Sequence, residues 1–255
     1  MRAWPAAIAE PYGDAGLPTG RVKLQFTGSA GQSFGAFAIR GMRLDLEGEA
    51  NDYVGKGLNG AEISVRPFRN ARYVGASHLN MIVGNTVLYG ATDGLLLAAG
   101  QAGDRFAVRN SGACAVVEGV GNHACEYMTG GVVAVLGRAG RNFGAGMSNG
   151  LAYVLDEAGT FASRVNHEMV LLSELDVDDL MLLERLLQIH YDRTGQRAAR
   201  KVIMDAPDRA FGEWRKVKPR GASEPVALIR QAWIQKLQGL IDADGQGEAR
   251  VMQPR

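Results

Sequence analysis

The chain has 255 residues, 46% of them hydrophobic, so it can bury the core of one large domain or two small ones. Its 28 lysines and arginines nearly balance 27 aspartates and glutamates, which argues against nucleic acid or an anionic membrane as the main partner. No apolar run approaches a membrane span, the N-terminus lacks a signal-peptide pattern, and two cysteines make no disulfide framework. We therefore expect a cytoplasmic protein.

The chain divides into three segments by its pattern. Residues 1–20 are rich in proline, glycine and alanine without a hydrophobic period, and we interpret them as an N-terminal arm. Residues 21–160 hold most of the 34 glycines, 24 of which lie between Gly28 and Gly150. Glycine at this density indicates tight corners between short apolar strands, because it accepts positive φ angles. Residues 161–255 change to a helical pattern.

Short apolar runs of β type recur along the middle segment. The first residues of these runs are separated by 18, 16, 18, 19 and 19 positions. The runs are Ala61–Val65, Leu79–Val83, Leu95–Ala98, Ala113–Val117, Val132–Leu136 and Leu151–Leu155. Aromatic residues near glycine keep a similar spacing: Phe34, Tyr53, Tyr89, Tyr127 and Phe143. The segment is therefore a repeat with a period of about 18 residues.

A period of about 18 residues is too short for a helical repeat pair or a propeller blade, but it suits one coil of a parallel β-helix. We expect each strand to pair with its equivalent one coil above and below, and the aromatic rings to form an internal stack. Asparagine suits the corners because it tolerates left-handed backbone and can bond neighbouring backbone, and it occurs there at Asn59, Asn85, Asn110 and Asn149. Leucine-rich repeats share the period, but their Leu-x-x-Leu-x-Leu signature is absent.

Three helices are predicted after Asp156. The first covers Leu175–Arg193, with Ser173 or Asp176 as its N-cap and Gly195 at its end. The other two cover Arg197–Met204 and Pro225–Leu240.

Charge is polarised in this segment. Glu168–Glu184 holds six acidic residues and no basic one, whereas Arg193–Arg220 holds nine basic residues against three acidic. Two interpretations fit this polarity. The charges complement helix ends and form solvated faces, or they form a docking surface for another subunit.

Two glycine clusters invite comparison with nucleotide-binding loops: Gly55, Gly57 and Gly60, and Gly144, Gly146 and Gly150. A dinucleotide fingerprint needs a helix directly after the glycines, whereas each cluster here leads into another apparent strand. A P-loop needs Ser or Thr after Gly-Lys, and Lys56 is followed by glycine. We therefore interpret these six glycines as structural corners and not as a cofactor site.

The sequence contains no convincing catalytic or metal-binding motif. Cys114, His123 and Cys125 are close together, but a structural zinc site needs four ligands, and Cys114 lies inside an apolar run. No serine or cysteine stands in a recognisable nucleophile motif. Neighbouring carboxylates such as Asp45 and Glu47 look like residues on a strand surface. We therefore expect no catalytic residue and no metal site in this chain.

The glycine-rich strings closely resemble the C-terminal GXGXG domain of the glutamate synthase large (α) subunit. The resemblance covers about residues 20–160 and continues more weakly to Trp214–Pro219. Six strings carry it, in order: Phe26–Gly35, Gly48–Gly57, Gly84–Gly94, Phe106–Gly112, Cys125–Gly131 and Asn142–Met147.

This resemblance implies an all-β fold: a single-stranded right-handed parallel β-helix with a short α-helical C-terminal extension. In the family the catalytic parts lie upstream of this domain. They are a glutaminase with an N-terminal cysteine nucleophile, and a synthase domain with FMN and an iron–sulfur cluster that makes glutamate from 2-oxoglutarate and ammonia. This chain has no N-terminal cysteine and no cysteine cluster, so no catalytic or cofactor-binding residue is carried over.

The function implied by the resemblance is structural. The chain would hold the glutaminase and synthase domains in relation to each other, and those domains would be its partners. Whether the helical tail also binds the NADPH-oxidising small subunit is an open question. The alternative is a β-helix protein that binds ligands or acts on polysaccharide, which would need clustered carboxylates or aromatic platforms on successive coils.

Overall fold

The chain folds into one large sheet with helices over part of its surface. The computed structural model describes residues 3–18, 20–72, 74–195, 212–221 and 223–251. The strands are β1 (Val22–Ser29), β2 (Met42–Glu49), β3 (Asn59–Arg66), β4 (Met81–Val83), β5 (Asp93–Ala102), β6 (Ser111–Val120), β7 (Thr129–Val135), β8 (Asn149–Leu155), β9 (Val170–Ser173) and β10 (Trp214–Pro219). The helices are α1 (Ala3–Tyr12), α2 (Val177–Thr194) and α3 (Ser223–Val251).

Seven of the strands stack in parallel, one per coil, and the predicted right-handed β-helix is confirmed. The order in the sheet is β1-β2-β3-β5-β6-β7-β8, followed by β10 and β9, which pair antiparallel. Side chains bonded across neighbouring coils are 18, 19 or 20 positions apart in sequence. This spacing agrees with the predicted period. We call the surface formed by these seven strands the sheet wall.

The apolar run at Leu79 does not begin a coil of its own. β5 pairs with β3 over its first half and with β4 at its end, where Met81 is the partner of Gln101. β3 and β4 are therefore two pieces of the same coil, separated by an insertion that contains a 3-10 turn at Val74–Leu79. The insertion explains why the predicted spacing was irregular here.

The outer face of the sheet wall changes character along the stack. On β2 and β3 it carries paired polar groups: Arg43 Nε lies 2.9 Å from an Asp45 carboxylate oxygen, Ser64 Oγ donates to Asp45 at 2.6 Å, and Arg66 pairs with Glu47 at 2.8 Å. On β5 to β8 the same face is apolar and packs against α2 and α3. The helices therefore cover mainly the later coils, and their C-terminal parts reach β3 and β2, where Arg193 lies 3.2 Å from Glu62 and Asp244 lies 3.9 Å from Arg43.

The C-terminal segment agrees with the predicted pattern at both described helices. Asp176 is the N-cap of α2, and Gly195 ends it in a left-handed conformation with φ +70°. The predicted helix at Arg197–Met204 lies outside the described residues. Two features were not predicted: the N-terminal arm contains α1, and the C-terminal segment adds β9 and β10 to the sheet. No described helix has a stretch long and apolar enough to span a bilayer.

Candidate functional site

Opposite the sheet wall, each coil turns through a compact segment that we call the turn wall. It consists of residues 33–38, 53–58, 86–91, 105–110, 123–128 and 142–147. In the second of these, Lys56 N donates to Tyr53 O at 3.2 Å and Leu58 N donates to Gly55 O at 3.0 Å. Gly55 and Gly57 have φ angles of +63° and +61°. Two overlapping turns with positive φ at their third residue are typical of type II turns.

Every segment repeats this conformation at its first, third and fifth residues. Twelve non-glycine residues in the described part of the chain have positive φ, and all of them occupy these positions. The third residues face the core and form the inner row: Gly35, Gly55, Leu88, Ala107, Cys125 and Gly144. The first residues form the first outer row: Ser33, Tyr53, Thr86, Arg105, His123 and Asn142. The fifth residues form the second outer row: Phe37, Gly57, Gly90, Arg109, Tyr127 and Gly146.

Left-handed residues connect the coils through their amides. Tyr53 N in the first outer row donates to Asn85 O of the following coil at 2.9 Å, whereas Gly55 N in the inner row donates to Phe34 O of the preceding coil at 2.9 Å. A left-handed residue other than glycine costs about 1–2 kcal/mol, so these hydrogen bonds must hold the conformation in place. The turn wall is therefore a second ladder between coils, built without strands.

All six glycines predicted as corners have positive φ. Gly55 and Gly144 belong to the inner row, and Gly57 and Gly146 belong to the second outer row. A Cβ on Gly146 would lie 2.5 Å from the Tyr127 ring. The remaining two, Gly60 and Gly150, lie near the starts of β3 and β8. A Cβ on Gly150 would lie 3.0 Å from backbone atoms of Gly130.

The aromatic residues do not form one internal stack. Phe34 and Phe143 are buried as expected, because they precede the inner row and face the core. The expectation is wrong for Tyr53 and Tyr127, which are 39% and 58% exposed because they occupy the outer rows. Tyr89 is half-buried. The regular spacing of the aromatic residues therefore came from two groups, one that faces the core and one that faces solvent.

A chain of side-chain hydrogen bonds runs along one corner of the turn wall. The sequence predicted that Asn85 bonds neighbouring backbone, but it did not predict the aspartates or the continuous ladder. Asp52 Oδ1 accepts from Asn85 N at 2.7 Å, Asn85 Oδ1 accepts from Asp104 N at 2.8 Å, and Asp104 Oδ1 accepts from Asn122 N at 2.7 Å. A Cβ on Gly103 would lie 2.3 Å from Asn85 Oδ1, so glycine is required before the next ladder residue. The recurring Gly-Asn and Gly-Asp pairs were the sequence signal for this ladder.

An ion-pair network fixes the helices to the end of the sheet wall. Arg230 on α3 contacts three carboxylates at the start of α2: Asp176 at 2.7 Å, Asp178 at 2.8 Å and Asp179 at 2.9 Å. Lys216 on β10 reaches the fully buried Asp179 at 2.6 Å. Burial alone would raise the pKa of Asp176, but the hydrogen bond from Arg230 lowers it well below its usual range. The acidic start of α2 is thus neutralised within the chain.

The three candidate metal ligands do not form a site. Cys114 packs outward against the helices, whereas Cys125 packs inward in the core of the β-helix. Burial raises the pKa of both thiols, so neither is a ready thiolate. His123 Nδ1 lies 2.8 Å from Glu126 Oε1 on the surface. In the part of the chain that the structure describes, no cluster of three His, Cys, Asp or Glu side chains could hold a metal ion.

A cavity of about 250 Å³ lies between the sheet wall and α3, lined by Arg40, Glu62 and Lys236 among others. It is smaller than the ~300–1,000 Å³ of ordinary ligand pockets. Arg40 and Lys236 both pair with Asp93, so their charge is already used. Burial raises the pKa of Glu62 to about 7, against the attraction of Arg43. The cavity offers a titratable carboxyl but no free charge for a ligand.

The fold and the turn wall together define a right-handed β-solenoid whose coils are set by consecutive left-handed turns. Comparison with known protein families identifies the family to which this solenoid belongs. The chain belongs to the GXGXG motif family, whose model matches residues 3–220.

Similar proteins are glutamate synthases. The chain is 50% identical to the NADH glutamate synthase of Schizosaccharomyces pombe over 84% of the chain and 10% of that protein. It is 49% identical to ferredoxin-dependent glutamate synthase 2 of Synechocystis, over 87% of the chain and 14% of that protein. It is 46% identical to the NADPH glutamate synthase large chain of Bacillus subtilis, over 93% of the chain and 15% of that protein. The predicted resemblance is confirmed.

Proposed function

We propose that this chain is the non-catalytic structural domain of a glutamate synthase. It would hold the glutaminase domain and the flavin and iron–sulfur synthase domain in relation to each other, while glutamate is made from glutamine-derived ammonia and 2-oxoglutarate. FMN and the iron–sulfur cluster would belong to the upstream domain, and no cofactor to this chain. We also propose a cytoplasmic location, since both cysteines are free.

One observation carries this proposal. Segments about half identical to this chain occur in relatives whose names give three different electron donors, namely NADH, ferredoxin and NADPH. A segment that selected the donor would be expected to differ among them. The similarity is instead about equal for all three, which favours a role common to the three enzymes.

The rigidity of the chain supports a holding role. Each coil is bonded to its neighbours on two sides, by the parallel strands of the sheet wall and by the amides of the turn wall. Because each coil is fixed by the next one, a solenoid keeps its surface positions at defined distances. Such a scaffold would keep one domain at a fixed position relative to another.

The polysaccharide alternative gains no support from the exposed rings. The ammonium of Lys56 lies 5.4 Å from the centre of the Tyr53 ring, and the Tyr127 ring lies against Gly146. Tyr53 and Tyr127 occupy different outer rows on coils that are not adjacent. Phe37, which is also exposed, lies on the coil next to that of Tyr53 but in the second outer row, so the three rings do not form one row on successive coils.

The test uses the large chain of the Bacillus subtilis relative from which only the matched segment has been deleted. We expect the purified 255-residue chain to bind this deletion protein and not the intact large chain, whose own segment fills the place. We also expect no glutamine hydrolysis and no glutamate formation by the chain alone when FMN and a donor are supplied. Flavin-dependent turnover by the chain alone, or an absence of binding, would contradict the proposal.

A further inference from the structure

We propose that the turn wall is the surface that docks against another folded protein domain, and that this domain presents carboxylates around a shallow apolar pocket. This inference rests on the proposed structural function and names the face and the chemistry of the contact.

No helix or strand among the described residues packs over the turn wall. α2 and α3 pack on the outer face of β5 to β8, on the sheet wall. The two outer rows extend over six coils, which is about 24 Å at ~4.8 Å per coil. Their side chains keep fixed spacings because amides of both rows donate to the following coil, as Ser33 N does to Asp52 O at 2.8 Å and Phe37 N does to Lys56 O at 2.7 Å.

Large aromatic side chains stand exposed on this face. Phe37 is 57% exposed and Tyr127 is 58% exposed, and both belong to the second outer row. Each ring rests on a glycine of the following coil: a Cβ on Gly57 would lie 2.7 Å from Phe37, and one on Gly146 would lie 2.5 Å from Tyr127. The rings are thus already positioned, which lowers the entropy lost when a partner binds them.

The free charge on this face is basic. The two outer rows contain Arg105 and Arg109 and no Asp or Glu; both arginines are exposed and form no ion pair among the described residues. The carboxylates of Asp52 and Asp104 lie outside these rows, on the corner ladder, where they keep their charge and accept amide hydrogen bonds.

Glu126, an acidic group within the turn wall, is held by His123 and Asn142. On the sheet wall, by contrast, Arg43 and Arg66 are paired with carboxylates of their own strands. Unpaired arginines beside exposed aromatic rings are the residue types that dominate protein interfaces, and they call for an acidic partner surface.

The experiment compares two double variants with the same change in net charge. The first variant, Arg105→Glu with Arg109→Glu, reverses the charge of the turn wall. The second variant, Arg21→Glu with Lys23→Glu, reverses the charge of two exposed basic residues at the start of the sheet wall. Binding to the Bacillus subtilis large chain that lacks its matched segment is measured at 50 and 300 mM NaCl. Circular dichroism and melting temperature show that both variants are folded.

We expect the turn-wall variant to bind at least about tenfold more weakly than wild type and to lose most of the salt dependence, because the charge that steers the partner is gone. We expect the sheet-wall variant to bind within about twofold of wild type. Equal binding by both variants, or a loss confined to the sheet-wall variant, overturns the assignment of this face and leaves the proposed function standing. No binding by wild type overturns the proposed function itself.

Discussion

The two walls of the solenoid solve the same stacking problem in different ways. On the sheet wall, parallel strands pair, ion pairs join side chains of β2 and β3, and helices cover β5 to β8. On the turn wall, left-handed residues pair the coils, and the surface stays open. The sheet wall therefore depends on its side chains, whereas the turn wall depends on its backbone. This difference is tested by substitutions that change either a side-chain contact or the backbone conformation, but not both.

The largest expected effect is on the sheet wall, at the network that fixes the helices. Arg230→Met removes the guanidinium from Asp176, Asp178 and the buried Asp179, while Lys216 still contacts Asp176 and Asp179. Breaking a buried pair on one side costs about 3–5 kcal/mol. We expect a loss of that size in the free energy of unfolding measured by urea denaturation.

Arg215→Met is the matched control for this network. Among the described residues, the Arg215 guanidinium donates to the backbone oxygens of Gly212 and Trp214 and to no carboxylate. We expect the control to change the free energy of unfolding by less than about 1 kcal/mol. Similar losses for the two variants would show that the network adds nothing to the attachment of the helices.

The next largest effect depends on pH and concerns Glu62, at the border between the open and the covered part of the sheet wall. Its pKa is raised by burial from 4.5 to about 7, while Arg193 Nη2, 3.2 Å away, shares its charge with Asp244. Between pH 4.5 and about 7, the Glu62 carboxyl is protonated in the native state but ionised in the unfolded chain. Stability therefore falls as pH rises through this window, by up to about 3 kcal/mol.

Glu62→Gln removes this titration. We expect the variant to be as stable as wild type at pH 4.5 and more stable at pH 8, when both are compared by urea denaturation across the range. Glu49→Gln, which removes an exposed carboxylate on β2, controls for the change in net charge. A wild-type stability that rises from pH 5 to pH 7 in step with Glu62→Gln would disprove the buried, protonated state.

Two glycines with positive φ test the backbone requirement, Gly90 in the turn wall and Gly150 at the start of β8. Gly150 has φ +93°, and a Cβ there would lie 3.0 Å from the backbone of Gly130, which cannot move aside. Gly90 has φ +63° and nothing within 4 Å of an added Cβ. We expect Gly90→Ala to cost about 1 kcal/mol from the left-handed conformation alone, and Gly150→Ala about 2–3 kcal/mol. Equal losses in thermal or urea unfolding would mean that the close approach at Gly150 is relieved at no cost.

The sequence predicted the sheet wall better than the turn wall for a physical reason. Runs such as Val132–Leu136 indicate a buried strand by composition, and the structure has β7 at nearly that place. β1 and β2 were missed because one side of each is solvated, so their apolar residues alternate and form no run. Only a strand that is buried on both faces has a continuous apolar run in its sequence. A strand with one solvated face alternates apolar and polar residues.

The turn wall is harder to read because its conformation is imposed from neighbouring coils. The fourth segment has Arg105, Ala107 and Arg109 at its left-handed positions and contains no glycine there. Nothing in the intrinsic preference of these residues indicates positive φ. The structure of this segment follows from hydrogen bonds to the coils before and after it, such as that from Arg105 N to Asn122 O at 2.8 Å. The repeat period of the chain could have predicted the conformation of this segment, whereas its amino-acid composition could not.

The smallest expected effect differs in sign between the two walls. Arg105 is exposed and left-handed with φ +60°, whereas Lys23 is exposed on the strand β1. Glycine adopts the left-handed conformation without the steric cost that arginine bears, so Arg105→Gly should stabilise the chain by about 1 kcal/mol. Lys23→Gly should destabilise it by about 1 kcal/mol, because glycine in a strand loses more backbone entropy. Both changes can be measured by urea denaturation at pH 7. If Arg105→Gly destabilises the chain as much as Lys23→Gly does, the arginine side chain contributes packing that outweighs its backbone strain, and the turn wall depends on side chains after all.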